Sequence, residues 1–188
     1  VIVQLGCGLE TTYHRCDNGK THWYAVDLPH VIEYRRGLLP EPERELYISG
    51  DAFAKDWIKK VRNDVLDAPI LVTAGGLFHY FEAHKVIALL RMIGQFGNME
   101  VVFDTVNKRG MTMMKKKYMK QVGHADAQMF FYVDSAEELA AKIGGNVKVI
   151  TEEPYYRYIP KNSLKLSTKV SMAVSDQFKM VKMICLKT

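Results

Sequence analysis

A short apolar segment that leads directly into a glycine turn opens the chain. Residues 1–5 read Val-Ile-Val-Gln-Leu, and the turn Gly6-Cys7-Gly8 follows without a spacer. A second apolar segment ends at Asp27. In α/β sheets, a glycine turn after the first strand lets the backbone approach a ligand closely, and a carboxylate at the end of the next strand accepts hydrogen bonds from a ribose. The two features together predict an α/β fold that binds a ligand with a nucleoside part.

Strand-like and helix-like segments alternate over the rest of the sequence, which favours a mostly parallel sheet with helices on both faces. The predicted strands are residues 1–5, 23–26, 46–49, 70–73, 99–103, 147–151 and 180–186. The predicted helices are residues 9–16, 30–38, 57–65, 82–96 and 135–143. The sequence between the last two strands is polar and predicts no helix, so we expect those strands to pair antiparallel at one sheet edge. The length of 188 residues favours one domain, residues 1–188.

Acidic residues and glycines also follow the third and fourth predicted strands. Asp51 comes soon after the third strand, and Gly75-Gly76 come soon after the fourth. Open α/β sheets bind ligands at the carboxyl ends of their strands, where these positions meet. Together with the glycine turn and Asp27, they predict one ligand site along this edge of the sheet.

The glycine turn distinguishes between two classes of nucleoside ligand. A dinucleotide-binding turn has a third glycine, which lets the helix pack closely under a pyrophosphate, and here that position is Thr11. A ligand without phosphates suits this turn better, and S-adenosylmethionine is such a ligand. Its ribose suits Asp27, its adenine suits the loop at Asp51, and its carboxylate suits a two-pronged contact from Arg15. A nicotinamide-dependent oxidoreductase is the alternative, although we find no third glycine and no Tyr/Lys or Ser set for its chemistry.

Four segments resemble the motifs of the leucine carboxyl methyltransferase family, which includes the tetracenomycin-type polyketide O-methyltransferases. They are residues 6–15 with the glycine turn, residues 26–32 with Asp-Leu-Pro, residues 50–57 with Gly-Asp-Ala, and residues 76–81, an apolar stretch with Tyr80. The resemblance implies a Rossmann-like class I methyltransferase domain with S-adenosylmethionine as its cofactor. The cofactor contacts that it implies are Gly6, Cys7, Gly8, Arg15, Asp27, Leu28, Asp51, Ala52 and Gly75.

The chain departs from the family pattern at two positions. Gly75 stands where the family usually has an acidic residue, and Thr12 stands where an arginine is common. We expect Arg15 to serve in place of that arginine. Family members also carry helices before the first strand, and we expect these helices to be missing because the sequence starts in that strand. A degenerate, non-catalytic methyltransferase-like binding domain is therefore a further alternative.

The resemblance implies transfer of a methyl group to a carboxyl or hydroxyl oxygen of a small molecule, such as a polyketide. The cofactor drives this reaction, while the protein contributes orientation and desolvation. A carboxylate acceptor needs no base, whereas a hydroxyl is helped by one. His79 and Tyr80 lie just beyond the fourth strand, and we predict that they are the catalytic or acceptor-contacting residues.

A long, basic and Met-rich segment, residues 108–131, stands where a strand-to-helix connection is usually short, so we predict an insertion or lid over the site. Basic residues in this segment predict attraction of an anionic acceptor. They are Lys108, Arg109, Lys115, Lys116, Lys117 and Lys120. His124 and Asp126 are further candidates for contact with the acceptor.

Composition argues against several other classes. The net charge of +5 is modest, and aromatic residues are sparse among the basic ones, so we expect no nucleic-acid partner. No apolar run has the length needed to cross a bilayer, and we expect neither a membrane partner nor a secretory signal. The three cysteines lack metal-site spacing and are expected to be reduced thiols, which predicts a cytoplasmic protein without a metal site.

Overall fold

One seven-stranded sheet runs through the computed structural model, which describes residues 1–97, 99–118 and 128–188, with the backbone alone for residues 117 and 118. The strands are β1 (Ile2–Leu5), β2 (Trp23–Asp27), β3 (Glu45–Ser49), β4 (Ile70–Ala74), β5 (Met99–Val106), β6 (Lys148–Pro154) and β7 (Val181–Lys187). They lie in the order β3-β2-β1-β4-β5-β7-β6, and β7 runs antiparallel to both of its neighbours. This topology confirms the predicted fold class and the antiparallel pair at the sheet edge.

Helices connect most of the strands. The α-helices are α1 (Thr12–Cys16), α2 (Pro29–Leu38), α3 (Asp56–Val65), α4 (Ala83–Gly94), α5 (Lys108–Met113), α6 (Ala136–Ile143) and α7 (Leu166–Gln177). A 3₁₀-helix (Phe78–Tyr80) follows β4, and a π-helix (Met114–Tyr118) continues α5. Within the described ranges, none of the helices combines the length and the apolar character that a membrane crossing requires.

The sheet is covered on both faces, because alternate residues of a strand point to opposite sides. Tyr24 and Val26 of β2 belong to the large apolar cluster that also contains most of the buried residues of α3, α4 and α6. Ala25, between them, belongs to a second cluster with Ile32 of α2. Strands buried on both faces carry near-continuous apolar runs, which is why the central strands could be recognised in the sequence.

Two parts of the fold differ from the sequence-based predictions. Helix α7 lies between β6 and β7, where we expected no helix. Met172 is the buried residue of α7, while its apolar Leu166 and Val170 are exposed, so the buried stripe that marks an amphipathic helix is missing. Strand β5 also continues past its expected end to Val106, because β7 pairs with it from Glu100 to Val106. Asp104 therefore lies within the strand and not at its end.

A buried ion pair holds the antiparallel edge of the sheet together. The Lys182 ammonium of β7 lies 2.5 Å from Oε1 of Glu152 on β6 and donates to the carbonyl oxygen of Asp134 at 2.9 Å. Lys182 is buried. The pair therefore fixes β6, β7 and the start of α6 to one another.

Candidate active site

The glycine turn between β1 and α1 is fixed to the end of β2 by hydrogen bonds. The Gly6 and Cys7 amides donate to the carbonyl oxygen of Val26, at 2.9 and 3.3 Å. The Gly8 amide donates to Oδ2 of Asp27 at 2.8 Å. The turn and the end of the neighbouring strand therefore form one connected unit at the carboxyl edge of the sheet.

Asp27 presents an oriented carboxylate at this edge. Its Oδ1 accepts a hydrogen bond from the Leu28 amide at 2.7 Å, while Oδ2 accepts the bond from Gly8. An ionised carboxylate offers about four acceptor positions on its two oxygens. Because Asp27 is partly exposed, the acceptor positions that the backbone does not use remain available to a ligand.

The surface of the turn suits a ligand that lies against its backbone. Gly8 has a φ of +47°, and a Cβ built on it would meet no atom within 4 Å. Gly6 has a φ of +64°, and a Cβ there would come within 2.8 Å of Cδ1 of Leu77, in the loop after β4. Both positions need glycine for their conformation, and Gly8 also faces open space. These residues therefore fit a nucleoside cofactor that rests on the turn.

A buried arginine holds the carbonyl groups of the turn. Arg35 of α2 is fully buried, and its Nη1 donates to the carbonyl oxygens of Gly8 at 3.1 Å and Glu10 at 2.8 Å. Its Nη2 lies 3.2 Å from Oε1 of Glu45, the first residue of β3. Arg35 was not among the residues predicted from the sequence, because an arginine on a short surface helix ordinarily points to solvent. No local pattern in the sequence reveals its contacts with the turn.

The loop after β3 lies one strand further along the same edge. Oδ1 of Asp51 accepts a hydrogen bond from the Phe53 amide at 2.8 Å, as in an Asx turn. The carbonyl oxygen of Ala52 accepts a bond from Nε1 of the buried Trp57 at 2.9 Å. The loop is thus anchored to α3, while Asp51 itself stays exposed.

A histidine–aspartate pair joins the loop after β4 to β5. Oδ1 of Asp104 accepts a hydrogen bond from the Gly76 amide at 2.6 Å, and Oδ2 lies 3.2 Å from Nε2 of His79. Burial alone would raise the pKa of Asp104, but the hydrogen bonds from His79 and Gly76 outweigh it and hold the pKa below its ordinary value. Asp104 is therefore an anionic partner that orients the His79 ring. His79 was predicted from the sequence as a site residue, whereas Asp104 was not.

The family assignment follows from a match over this region. The sequence profile of the leucine carboxyl methyltransferase family matches residues 1–94, which are half of the chain and contain the turn, Asp27, Asp51 and the 3₁₀-helix. The chain belongs to the leucine carboxyl methyltransferase family. Membership confirms the resemblance noted in the sequence. It also confirms S-adenosylmethionine as the predicted cofactor, because this compound is the methyl donor of the family.

One relative in particular agrees with membership of the leucine carboxyl methyltransferase family. The tetracenomycin polyketide synthesis O-methyltransferase TcmP of Streptomyces glaucescens is 31% identical over 147 residues, which are 77% of this chain and 53% of TcmP. The chain therefore spans about half the length of that relative.

Solved structures share the fold at low sequence identity. A SAM-dependent methyltransferase from Anabaena variabilis has a TM-score of 0.62 and 12% identity, over 99% of this chain and 76% of its own. The O-methyltransferase NcsB1 from neocarzinostatin biosynthesis was solved with S-adenosylmethionine and 2-hydroxy-5-methyl naphthoic acid. It has a TM-score of 0.57 and 13% identity, over 100% of this chain and 48% of its own.

The structure brings most of the predicted cofactor residues together at one edge. Residues 6–8, Asp27 and Leu28 form the hydrogen-bonded unit described above, and Asp51 and Ala52 lie in the next loop. Burial raises the pKa of the Cys7 thiol to about 12, so its sulfur is not a reactive thiolate at neutral pH.

The remaining two cofactor candidates, Arg15 and Gly75, both lie near Glu10. Arg15 is exposed on α1, where its Nη2 donates to Oγ1 of Thr12 at 3.3 Å. A Cβ built on Gly75 would lie 3.1 Å from Oε1 of Glu10. The carboxylate of Glu10 therefore lies close to the position at which the family usually has an acidic residue.

The two predicted catalytic residues differ in exposure. His79 is buried, and its carbonyl oxygen accepts a hydrogen bond from the Phe130 amide at 2.8 Å. Tyr80 is half exposed. Other residues predicted to contact or attract the acceptor lie outside the described residues. They are His124, Asp126, Lys120 and the side chain of Lys117.

Proposed function

We propose that the chain forms the cofactor-binding domain of an S-adenosylmethionine-dependent O-methyltransferase that acts on a carboxyl or hydroxyl group of a small, polyketide-like molecule. The observation that supports this most is the 2.8 Å hydrogen bond between Gly8 and Asp27, which joins an open glycine turn to an oriented carboxylate. Similarity to TcmP, a polyketide synthesis O-methyltransferase, supports an oxygen acceptor of this kind.

Each part of S-adenosylmethionine has a candidate partner along this edge. Asp27 accepts hydrogen bonds from the ribose hydroxyls, and Leu28 and the loop at Asp51 border the adenine. Arg15 pairs with the carboxylate of the amino-acid tail. When bound, the cofactor supplies a methyl group on a positively charged sulfur. The residues of this chain orient it and exclude water from it.

On the acceptor side, His79 and Tyr80 have different candidate roles. Asp104 holds Nε2 of His79, while Nδ1 is buried without a hydrogen-bond partner among the described residues. A carboxylate that fixes one imidazole nitrogen leaves the other as a base, so His79 is the candidate that accepts the proton of a hydroxyl acceptor. Tyr80, which is half exposed, is the candidate for direct contact with the acceptor.

Exposed basic residues after β5 support an anionic acceptor. Those with described side chains are Lys108, Arg109, Lys115 and Lys116, on α5 and the π-helix. A positively charged cluster raises the local concentration of anions at low ionic strength. We expect the KM for a carboxylate acceptor to rise with salt while kcat stays constant. The lid role of residues 108–131 and the cytoplasmic location stay predictions from the sequence.

Calorimetric titration with S-adenosylmethionine and with NADH tests the cofactor assignment. We expect binding of S-adenosylmethionine that Asp27→Ala abolishes, because the substitution removes the ribose partner. Glu33→Gln, at an exposed position of α2, is the control and should bind normally. Tight binding of NADH without binding of S-adenosylmethionine would favour a nicotinamide-dependent oxidoreductase instead.

A turnover assay separates an enzyme from a non-catalytic binding domain. The protein is given methyl-labelled S-adenosylmethionine and two matched aromatic acceptors, one with a carboxyl group and one with a hydroxyl group. We expect His79→Gln to slow hydroxyl methylation by about 10²-fold or more and to change carboxylate methylation little, since only a hydroxyl gives up a proton. Cofactor binding without label transfer to either acceptor would favour the non-catalytic alternative.

A further inference from the structure

The backbone of Glu10 is held tightly at the end of the glycine turn. Its amide donates to the carbonyl oxygen of Cys7 at 2.9 Å, and its own carbonyl oxygen accepts the 2.8 Å hydrogen bond from the buried Arg35. The side chain of Glu10 therefore starts from a fixed point beside the site, although the residue itself is exposed.

The carboxylate of Glu10 lies between the ends of β1 and β4. Its Oε2 accepts hydrogen bonds from Nε2 of the buried Gln4 at 3.3 Å and from Oγ1 of Thr12 at 3.2 Å. Its Oε1 points toward Gly75, where an added Cβ would lie only 3.1 Å away. A side chain at position 75 would crowd this oxygen, so the glycine leaves room for the Glu10 carboxylate.

Glu10 has an unused acceptor oxygen and no direct cationic partner among the described side chains. Within the described ranges it makes no ion pair, and Oε1 accepts no hydrogen bond. Glu10 and Asp104 both lie close enough to Tyr155 to add to the effect of burial, which raises the pKa of the Tyr155 hydroxyl. The edge between β1, β4 and β5 is therefore negative, and a positive group of a ligand is favoured there.

A cation stands at a short distance from this anion. Nη2 of Arg15 donates to Oγ1 of Thr12 at 3.3 Å, and the same hydroxyl donates to Oε2 of Glu10. The amino-acid tail of S-adenosylmethionine is a zwitterion that carries an ammonium and a carboxylate on one carbon. The Glu10 carboxylate and the Arg15 guanidinium, which both bond to the Thr12 hydroxyl, match this pair of charges.

We propose that Glu10 binds the ammonium group of the cofactor's amino-acid tail, while Arg15 takes the tail carboxylate. The assignment rests on the proposed function and adds to it a residue that selects the zwitterionic tail. Glu10 also places a carboxylate next to position 75, where the family usually has an acidic residue and this chain has a glycine.

Two adenosine ligands that differ in the tail test this assignment. S-adenosylhomocysteine carries the ammonium and the carboxylate, whereas 5′-methylthioadenosine has neither. Glu10→Gln keeps the size and the acceptor oxygen of the side chain but removes its charge. A charge-assisted hydrogen bond contributes about 1.5–3 kcal/mol, so calorimetry should show about 10- to 100-fold weaker binding of S-adenosylhomocysteine. Binding of 5′-methylthioadenosine should change less than about threefold on this assignment, and Glu33→Gln should change neither affinity.

Moving the carboxylate from position 10 to position 75 provides a second test. Glu10→Ala should weaken S-adenosylhomocysteine binding like Glu10→Gln, and Gly75→Glu alone should also weaken it because two carboxylates then share one space. The double variant Glu10→Ala/Gly75→Glu should regain about tenfold or more over Glu10→Ala, because a carboxylate again faces the ammonium.

The outcomes separate this assignment from the proposed function. If Glu10→Gln lowers the affinity for both ligands equally, Glu10 only shapes the turn. If it lowers neither affinity, Glu10 does not touch the tail. Each of these results overturns the assignment. If the wild-type protein fails to bind S-adenosylhomocysteine, the proposed function itself is wrong, and the assignment falls with it.

Discussion

Arg35 and Glu45 form an ion pair in which neither side chain reaches solvent, with 3.2 Å between Nη2 and Oε1. The other terminal nitrogen of Arg35 holds the carbonyl oxygens of Gly8 and Glu10. One guanidinium group thus joins α2, the start of β3 and the glycine turn. Since the turn carries the candidate cofactor contacts, its geometry depends on a pair that lies outside the site.

Arg35→Met is expected to destabilise the protein strongly. It leaves the Glu45 carboxylate buried without its partner, and such a change typically costs about 3–5 kcal/mol. Arg36→Met is the matched control: the neighbouring arginine pairs with Glu41 at the surface, where an ion pair contributes about 1 kcal/mol or less. Chemical denaturation of the two variants measures the difference, and equal losses would contradict the role given to Arg35.

The double variant Arg35→Met/Glu45→Met separates stability from the positioning of the turn. With both charges removed, most of the lost free energy of unfolding should return. The hydrogen bonds to Gly8 and Glu10 stay absent, so the Kd for S-adenosylhomocysteine should remain about tenfold or more above that of the wild type. Full recovery of affinity together with stability would show that the turn does not need Arg35.

The parts of the site that could be predicted from the sequence are local ones. The glycine turn and Asp27 stand directly at the ends of apolar strands, so their neighbours reveal them. Arg35 bonds to the glycine turn 25 and 27 residues away, and Asp104 bonds to His79 and Gly76 25 and 28 residues away, so only the folded chain shows those pairings. Helix α7 was missed for a related reason: its exposed apolar residues give no signal about which face is buried.

A glycine in α5 should tolerate no side chain. A Cβ on Gly110 would lie 2.3 Å from the carbonyl oxygen of Met180, and a backbone atom there has little room to move. We therefore expect Gly110→Ala to lower the free energy of unfolding by about 1–3 kcal/mol. Gly37, at an exposed position of α2, has no atom within 4 Å of its added Cβ, and Gly37→Ala should stabilise by about 0.4–1 kcal/mol. The midpoint of thermal unfolding should therefore fall in Gly110→Ala and rise in Gly37→Ala. A shift in the same direction in both variants would contradict this packing.

The antiparallel edge of the sheet depends on Lys182. Burial alone would raise the pKa of Glu152, but the hydrogen bond and charge of Lys182 outweigh it and lower the pKa. Lys182→Met should therefore cost about 1.5–3 kcal/mol at neutral pH, the range for hydrogen bonds to charged groups. Lys148→Met, at an exposed position of β6, should change stability by about 0.5 kcal/mol or less. A loss of similar size in both variants, measured by denaturation, would mean that the Lys182 contact is dispensable.

The stabilisation that Asp104 provides should disappear in acid. Its pKa is lowered in the folded protein, because hydrogen bonds from His79 and Gly76 outweigh the effect of burial, whereas an unfolded aspartate has a pKa of about 3.9. A group of this kind stabilises the fold fully above its unfolded pKa, and the contribution is lost as the pH falls through the lower folded value. Asp104→Asn should therefore be less stable than the wild type by about 1–3 kcal/mol at pH 7. The gap should close as the pH is lowered from about 4 toward about 2, since protonation removes the same charge in the wild type. Denaturation curves across this range measure the gap, and a gap that widens in acid would contradict an ionised Asp104 in the folded protein.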